Sequence, residues 1–208
     1  IVDWGVSQSG TPGVYSWQHL FNWNAAGAHA TPVAVPNALG DTANLNLLNL
    51  SGNQTINLNG AVTLGTLNIG DISGQQSYVI AAGSGGSLAL SNGGTAAINK
   101  SGIGTDVITS AITLTDPVTV DVQDGRLILS GVLSGAGGIT KNGAGTLILT
   151  ATNTFTGVNT LNDGITLIQQ VLGDNAVLGA TGGAQGTIVN AGATLAINND
   201  RGDAGTGS

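Results

Sequence analysis

A glycine followed closely by a short aliphatic strand recurs along most of this chain. Successive examples begin 18–22 residues apart, at Gly65, Gly86, Gly104, Gly125, Gly145, Gly164 and Gly186. β-Branched and aliphatic residues suit a pleated, half-buried surface, and glycine supplies the positive φ that tight turns require. A unit this short contacts only its neighbours, so it must stack to bury a core. The period predicts an all-β fold, a right-handed parallel β-helix (β-solenoid) with coils of about 20 residues.

Alternation within the strands predicts which side chains face inward. In segments 56–58 and 67–69 asparagine stands between two aliphatic residues, so we expect the aliphatics in the core and asparagine outside. The frequent Asn, Thr, Ser and Gln residues are expected to form ladders between coils about 4.8 Å apart. The repeat also predicts one interior row of leucines, formed by Leu67, Leu88, Leu127, Leu147 and Leu167.

The clearest repeat lies in residues 138–169. Its turns and strands include Gly137-Gly138-Ile139-Thr140-Lys141, Gly143-Ala144-Gly145-Thr146-Leu147, Asn153-Thr154-Phe155-Thr156-Gly157 and Asn162-Asp163-Gly164-Ile165. This stretch resembles the autotransporter-associated β-strand repeat of passenger domains secreted by Gram-negative bacteria. The resemblance implies an extracellular or outer-membrane-surface location and export through a C-terminal β-barrel. A chain that begins at Ile1 without methionine is expected to be a mature or trimmed extracellular piece.

The two ends of the chain differ in composition from its centre. Most of the aromatic residues lie in the first 23 positions, as Trp4, Tyr15, Trp17, Phe21 and Trp23. The first coil of a solenoid needs a cover, so we predict an aromatic cap over residues 1–40, β-helix repeats over 41–199 and a flexible polar tail over 200–208. An exposed aromatic platform for glycan binding is the alternative. The last strand, 194–198, is expected to present an open edge.

Charge and cysteine content exclude several classes of partner and site. The net charge is −7 and the only strong cations are Lys100, Arg126, Lys141 and Arg201, which argues against nucleic acid and anionic membrane surfaces. The absence of cysteine excludes disulfides and thiolate metal sites. No run approaches the ~18 apolar residues of a membrane helix, so we expect no membrane insertion of this segment.

Catalysis would require convergent carboxylates, because glycan-cleaving β-helices act through them. The best cluster in the sequence is Asp116, Asp121, Asp124 and Arg126, and the chain has no glutamate. Aspartate is also a turn residue, which explains its positions around Gly125 without any chemistry. The sequence therefore predicts that the protein is not an enzyme.

Two patterns suggest a metal site but lack the necessary partners. Residues Gly102-Ile103-Gly104-Thr105-Asp106 have the outline of a calcium-binding turn, but the tandem copies that complete such sites are missing. His19 and His29 lie ten residues apart without further ligands close in sequence. We predict no metal and no cofactor.

The sequence favours a non-catalytic structural or adhesive scaffold of an autotransporter-like protein. The expected partner is a protein or glycan surface, or further copies of the chain. Arg201-Gly202-Asp203 matches a tripeptide read by integrins, although an ordinary polar turn is the simpler explanation. The alternative functions are a subunit of a self-assembling extracellular fibre and a polysaccharide-binding or polysaccharide-cleaving β-helix.

Overall fold

The computed structural model describes residues 1–4, 12–25, 34–170, 177–180 and 186–199. Within these ranges the chain forms strands and one 3₁₀ turn, Leu20–Asn22. The strands stack into long parallel sheets, so the predicted all-β solenoid is confirmed. Its right-handed winding stays a prediction.

Three sheets form the walls of the solenoid. Sheet A contains β1 (Val2–Trp4), β3 (Trp23–Ala25), β4 (Thr42–Leu45), β7 (Thr66–Ile69), β10 (Ala96–Lys100), β13 (Val118–Val122), β16 (Ile139–Asn142), β18 (Asn159–Leu161) and β20 (Thr187–Val189). Sheet B contains β2 (Gly13–Ser16), β5 (Gln54–Asn57), β8 (Tyr78–Ala81), β11 (Thr105–Ile108), β14 (Arg126–Leu129), β17 (Thr146–Leu149), β19 (Gly164–Gln170) and β21 (Ala193–Asn199). Sheet C contains β6 (Ala61–Leu64), β9 (Ser87–Leu90), β12 (Ile112–Leu114) and β15 (Leu133–Ser134).

The chain passes from sheet A to sheet B to sheet C and then starts the next coil. Strands β4, β5 and β6 make one coil, and β7, β8 and β9 make the next. Equivalent strands pair in parallel, as β4 does with β7, so neighbouring coils lie about 4.8 Å apart. The inward-facing residues of all three sheets fill one continuous core.

The alternation read from the sequence is present in the structure. The aliphatic residues of segments 56–58 and 67–69 are fully buried, and the asparagine between them is partly exposed. Each strand therefore has one core face and one solvent face, because side chains in a strand point alternately to opposite sides.

The single interior row of leucines does not exist. Leu67 lies in sheet A, Leu88 in sheet C, and Leu127 and Leu147 pair directly in sheet B. The glycine-led pattern precedes strands of different sheets, because corners and insertions change the length of each coil. Residues at equal distances from successive glycines therefore do not all lie in the same sheet of the solenoid.

The predicted place of Leu167 is wrong for a second reason, because this side chain does not lie in the core. Leu147 pairs with Thr166, and Ile148 pairs with Leu167. The step from Leu147 to its partner in the next coil is one residue shorter than the step from Leu127 to Leu147. A shift of one residue exchanges the two faces of a strand, so Thr166 is buried and Leu167 is partly exposed.

Three tryptophans close the N-terminal end of the core. Trp4, Trp17 and Trp23 are 1%, 0% and 0% exposed, and the Trp23 ring lies 4.8 Å from that of Trp4 and 4.6 Å from that of Trp17, centroid to centroid. Each indole N–H has an acceptor: Gln54 Oε1 for Trp4, the Pro36 carbonyl for Trp17 and the Trp17 carbonyl for Trp23. The rings thus cover the first coil without leaving a buried donor unpaired.

The rest of the aromatic segment departs from the predicted cap. Phe21 is 70% exposed, so its assignment to the cap is wrong. It belongs to the 3₁₀ turn Leu20–Asn22, no residue of which is buried, and its ring lies 5.7 Å from that of His19. Tyr15 is partly buried against the Trp4 ring. Strands β1 and β2 also extend sheets A and B, so the first 40 residues contain a coil as well as its cover.

The C-terminal coil is less covered. Strands β20 and β21 are the last strands of sheets A and B among the described residues. Ile188, Val189 and Ile197 on these strands are 52%, 45% and 65% exposed. The solenoid thus buries aromatic rings at one end and exposes aliphatic side chains at the other.

Replacing Gly125 by alanine should destabilise the stack. Gly125 has φ +63° at the corner between sheets A and B, and an added Cβ would lie 2.3 Å from the Gly104 carbonyl oxygen of the preceding coil. We expect the free energy of unfolding, measured by denaturant titration, to fall by about 1–3 kcal/mol from the backbone strain, and further because of the steric clash. Gly94→Ala is the control, because a Cβ there has no neighbour within 4 Å. Equal losses in both variants would contradict the assignment.

Candidate functional site

A charged pair lies inside the solenoid at a corner between sheets A and B. Lys100 ends β10, Asp106 follows in β11, and both side chains are 1% exposed. The Lys100 Nζ lies 3.4 Å from Asp106 Oδ2 and donates hydrogen bonds of 2.6 Å to the carbonyls of Ser101 and Gly102. The ammonium is therefore surrounded by oxygen atoms in an otherwise apolar core, as a buried charge requires.

The carboxylate of this pair is enclosed from the side of sheet B. Asp106 Oδ1 accepts a hydrogen bond of 2.7 Å from the backbone N–H of Tyr78. Burial raises the pKa of Asp106, although the Tyr78 N–H and Lys100 act in the opposite direction. Burial also raises the pKa of the Tyr78 hydroxyl, which has no hydrogen-bond partner within the described residues. These groups face the core, so the arrangement pairs a buried charge and holds the coil together.

Two coils later Lys141 also donates to backbone carbonyls of a corner. Its side chain is buried, and its Nζ donates to the carbonyls of Asn142, Gly143 and Asp163 at 2.8, 2.6 and 3.2 Å. Burial lowers the pKa of Lys141, while the nearby carboxylates of Asp163 and Asp121 act to raise it. The bond to Asp163 crosses to the next coil, so the lysine joins two coils at the corner.

Asp71 organises the longer corner between β7 and β8. Its buried carboxylate accepts hydrogen bonds from the backbone N–H groups of Leu50, Gln75 and Gln76 at 2.7, 3.1 and 3.2 Å, and from the Ser73 hydroxyl. Burial acts to raise its pKa, but these hydrogen bonds prevail and hold the pKa below the usual value. The ionised form therefore stabilises this corner.

The residues of the best acidic cluster in the sequence lie along one strand and the corner that follows it. Asp116 precedes β13, Asp121 lies on the outer face of that strand, and Asp124 is exposed in the corner beyond it. Arg126 begins β14 in the neighbouring sheet and is exposed. The positions of Asp116 and Asp124, just before and just after the strand, are those that the turn preference of aspartate predicts.

Asp116 has a structural contact of its own. It accepts hydrogen bonds from the backbone N–H groups of Asn92 and Gly93 at 2.6 and 2.9 Å, and from the Ser91 hydroxyl at 3.3 Å. The Asn92 N–H is the main cause of its lowered pKa. The carboxylate thus ties a turn of the preceding coil to the start of β13.

The turn that resembled a calcium site holds a different cation. Asp106, its only carboxylate, points into the core and contacts Lys100. In the part of the chain that the structure describes, no three His, Asp or Glu residues are grouped as metal ligands. His19 is exposed, and His29 lies outside the described residues, as does Arg201-Gly202-Asp203.

A row of Asn and Asp side chains runs along the outer face of sheet A. Its members, one per coil, are Asp3, Asn44, Asn68, Asn99, Asp121, Asn142, Asn162 and Asn190. Side-chain amides donate to the preceding member in the pairs Asn44–Asp3, Asn68–Asn44, Asn99–Asn68, Asn162–Asn142 and Asn190–Asn162, at 2.6–2.8 Å. The predicted ladders are present, and they fix the amides in one orientation.

A second row lies two residues upstream on the same face and is mainly threonine. In register, its members are Thr42, Thr66, Ala97, Thr119, Thr140, Thr160 and Ile188. The five threonines are partly exposed, and their hydroxyls have no hydrogen-bond partner within the described residues. We call the two rows together the Thr–Asx face.

Sequence reasoning missed the buried lysines and the regularity of the Thr–Asx face. Lysine is rarely buried, and the sequence analysis assigned Lys100 and Lys141 no place in the core. The signal was present, because Lys100 has the same strand parity as the inward Ala96 and Ile98. The rows were obscured because insertions make the steps between coils unequal.

Replacing Asp71 by asparagine should give a loss of stability that depends on pH. At pH 7 we expect the free energy of unfolding to fall by about 1.5–3 kcal/mol, because hydrogen bonds to a charged group are lost. The folded-state pKa lies below the unfolded value of about 3.9, so this contribution is complete above that value and is lost as pH falls through the folded-state pKa. Denaturant titrations from pH 7 to below the folded-state pKa should show the two proteins converging once the pH falls below about 3.9.

Asp124→Asn is the control, since that carboxylate is exposed and accepts no hydrogen bond within the described residues. Its stability should stay within about 0.5 kcal/mol of the unmodified chain at every pH. A constant difference between the Asp71 variant and the unmodified chain would contradict the role assigned to its charge.

Comparisons with protein-family models, curated proteins and solved structures found no match. In the described part of the chain no helix has the length and apolar character to cross a membrane. The relation to autotransporter passengers therefore rests on the residues of segment 138–169 and stays a prediction.

Proposed function

We propose that the chain is a non-catalytic structural scaffold of a secreted or surface-exposed bacterial protein of the autotransporter kind. The observation that carries this proposal is the filled and continuous interior of the solenoid. Aliphatic side chains occupy it along the described coils, and its charged groups, Lys100, Asp106 and Lys141, are bonded within it. A rod of this kind is suited to spacing and display, with a protein or glycan surface as its partner.

The acidic residues support the same proposal. The carboxylates of the buried Asp71 and Asp106 and of the partly exposed Asp116 accept hydrogen bonds from backbone N–H groups, as structural carboxylates do. Function by contact along the walls fits this distribution better than glycan cleavage, which needs two carboxylates aimed at one bond.

A surface-labelling experiment tests the location. An epitope tag inserted between Gly93 and Gly94 would lie in an exposed turn where a Cβ at either position meets nothing within 4 Å. In the organism that encodes the protein, a membrane-impermeant antibody should label intact cells or the culture medium. A tagged cytoplasmic protein serves as the control for cell integrity. Labelling only after permeabilisation would overturn the proposal.

A second candidate function is self-association through the C-terminal coil, as a dimer and not as the fibre that the sequence suggested as an alternative. Val189 and Ile197 favour it, because they are exposed on the last strands of two sheets although their partners in the preceding coil, Leu161 and Ile168, are buried. Edge strands of this kind pair with other chains. The N-terminal end is sealed by buried tryptophans and the short antiparallel strand β3. One open end and one closed end favour pairing of two C-terminal coils over an indefinite filament.

Introducing charge at the open end should abolish this association. Ile197→Lys places an ammonium on an exposed position of β21, where a second copy would have to desolvate it. Sedimentation velocity over a concentration series should show a dimer for the unmodified chain and a monomer for the variant. Val14→Lys, at an exposed position of β2 near the other end, should leave the dimer intact. A monomer at every concentration of the unmodified chain would exclude this candidate.

A further inference from the structure

We propose that the Thr–Asx face binds ice, with the ordered water molecules of an ice-crystal surface as its ligand. The face presents Thr-x-Asn or Thr-x-Asp on five coils, at Thr42, Thr66, Thr119, Thr140 and Thr160, each paired with the Asx residue two positions later. The inference does not depend on secretion or on association of the chain.

The face offers hydrogen-bonding groups that the protein itself does not use. A side-chain amide has two N–H donors and a carbonyl oxygen with two lone pairs. The ladder along Asn44, Asn68 and Asn99 uses one donor and one acceptor of the central amide. Each such amide therefore retains a donor and an acceptor for water, and each threonine adds a hydroxyl and a methyl group.

These groups repeat on a fixed grid. Neighbouring coils are about 4.8 Å apart, and residues i and i+2 of a strand are about 6.6 Å apart. In-register pairing sets the first spacing and the strand sets the second. Hexagonal ice has a lattice repeat close to the first spacing, so water molecules bound one coil apart along a row would be spaced nearly as in ice.

The composition of the face favours ice over a polymer or a protein. Its rows contain no aromatic ring for sugar stacking and no cation. They are also nearly neutral, although the chain as a whole carries a charge of −7. Their only charged members are Asp3 and Asp121. By contrast, the outer face of sheet B carries the apolar series Val79, Val107, Ile128, Ile148 and Leu167. A neutral lattice of water matches the first surface and not the second.

Regularity turns weak contacts into firm adsorption. One hydroxyl or amide gains little from binding a water molecule instead of bulk solvent. The seven coils of the face span about 30 Å. Once one coil is bound to a rigid lattice with the same repeat, the groups of the other coils are already held at their binding positions, so each further contact forms at a high effective concentration. A mobile partner could not keep all contacts at once.

The test compares substitutions on two faces of the same solenoid. Thr119 and Thr140 are neighbours on the Thr–Asx face, whereas Thr105 and Thr146 lie on the outer face of sheet B, one on each side of Arg126. The double variants Thr119→Tyr/Thr140→Tyr and Thr105→Tyr/Thr146→Tyr make the same chemical change on each face. Circular dichroism and thermal melting establish that both are folded.

The unmodified chain should shape ice crystals, show thermal hysteresis and inhibit ice recrystallisation. The variant on the Thr–Asx face should lose most of this activity, and the variant on sheet B should keep it. Ala97→Thr, which fills the gap in the threonine row, should increase the activity. This gain is not expected from a merely structural role of the row.

Two results would overturn the proposal. The first is a folded, unmodified chain without any effect on ice, including the case in which it adsorbs to chitin or cellulose instead. The second is an equal loss of ice activity in both double variants. Both leave the surface-labelling experiment unaffected, so failure of this inference is distinguishable from failure of the scaffold proposal.

Discussion

In-register parallel pairing between successive coils is the interaction on which the rest of this structure depends. A single coil buries too few side chains to offset the entropy of ordering its backbone, so it exists only against a neighbour. Pairing of β13 with β10 on one side and β16 on the other satisfies the backbone groups of sheet A. The same pairing places like residues above one another, and this produces both the ladder of asparagines outside and the continuous core inside.

The corners show how the chain maintains that pairing while its coil length varies. A lysine directed inward at the end of a strand can reach backbone carbonyls that would otherwise be unpaired in the core. Lys100 does this within its own corner, and Lys141 also reaches Asp163 of the following coil. Asp71 does the converse, because its carboxylate collects backbone N–H groups in the longest of these corners. The main role of the buried charged side chains in this solenoid is therefore to form hydrogen bonds with backbone groups at the corners.

The fold class could be predicted from the sequence because its causes are local. Alternation in segments 56–58 and 67–69 sets the inward and outward faces, and glycine marks the corners. Register was not predictable, because it depends on the length of each connection. The step of one residue that turns Thr166 inward and Leu167 outward has no local signature. The exposure of Phe21 likewise follows from the 3₁₀ turn, which composition alone did not indicate. The Thr–Asx face emerges only once that register is known.

The tryptophan cap gives the solenoid a direction. A new coil inserted before β1 would have to replace the packed rings of Trp4, Trp17 and Trp23 with an aliphatic layer. A new coil after β21 would cover Ile197 and extend two sheets without disturbing any ring. A longer solenoid of this kind is therefore reached with less repacking by adding coils after β21 than by adding them before β1.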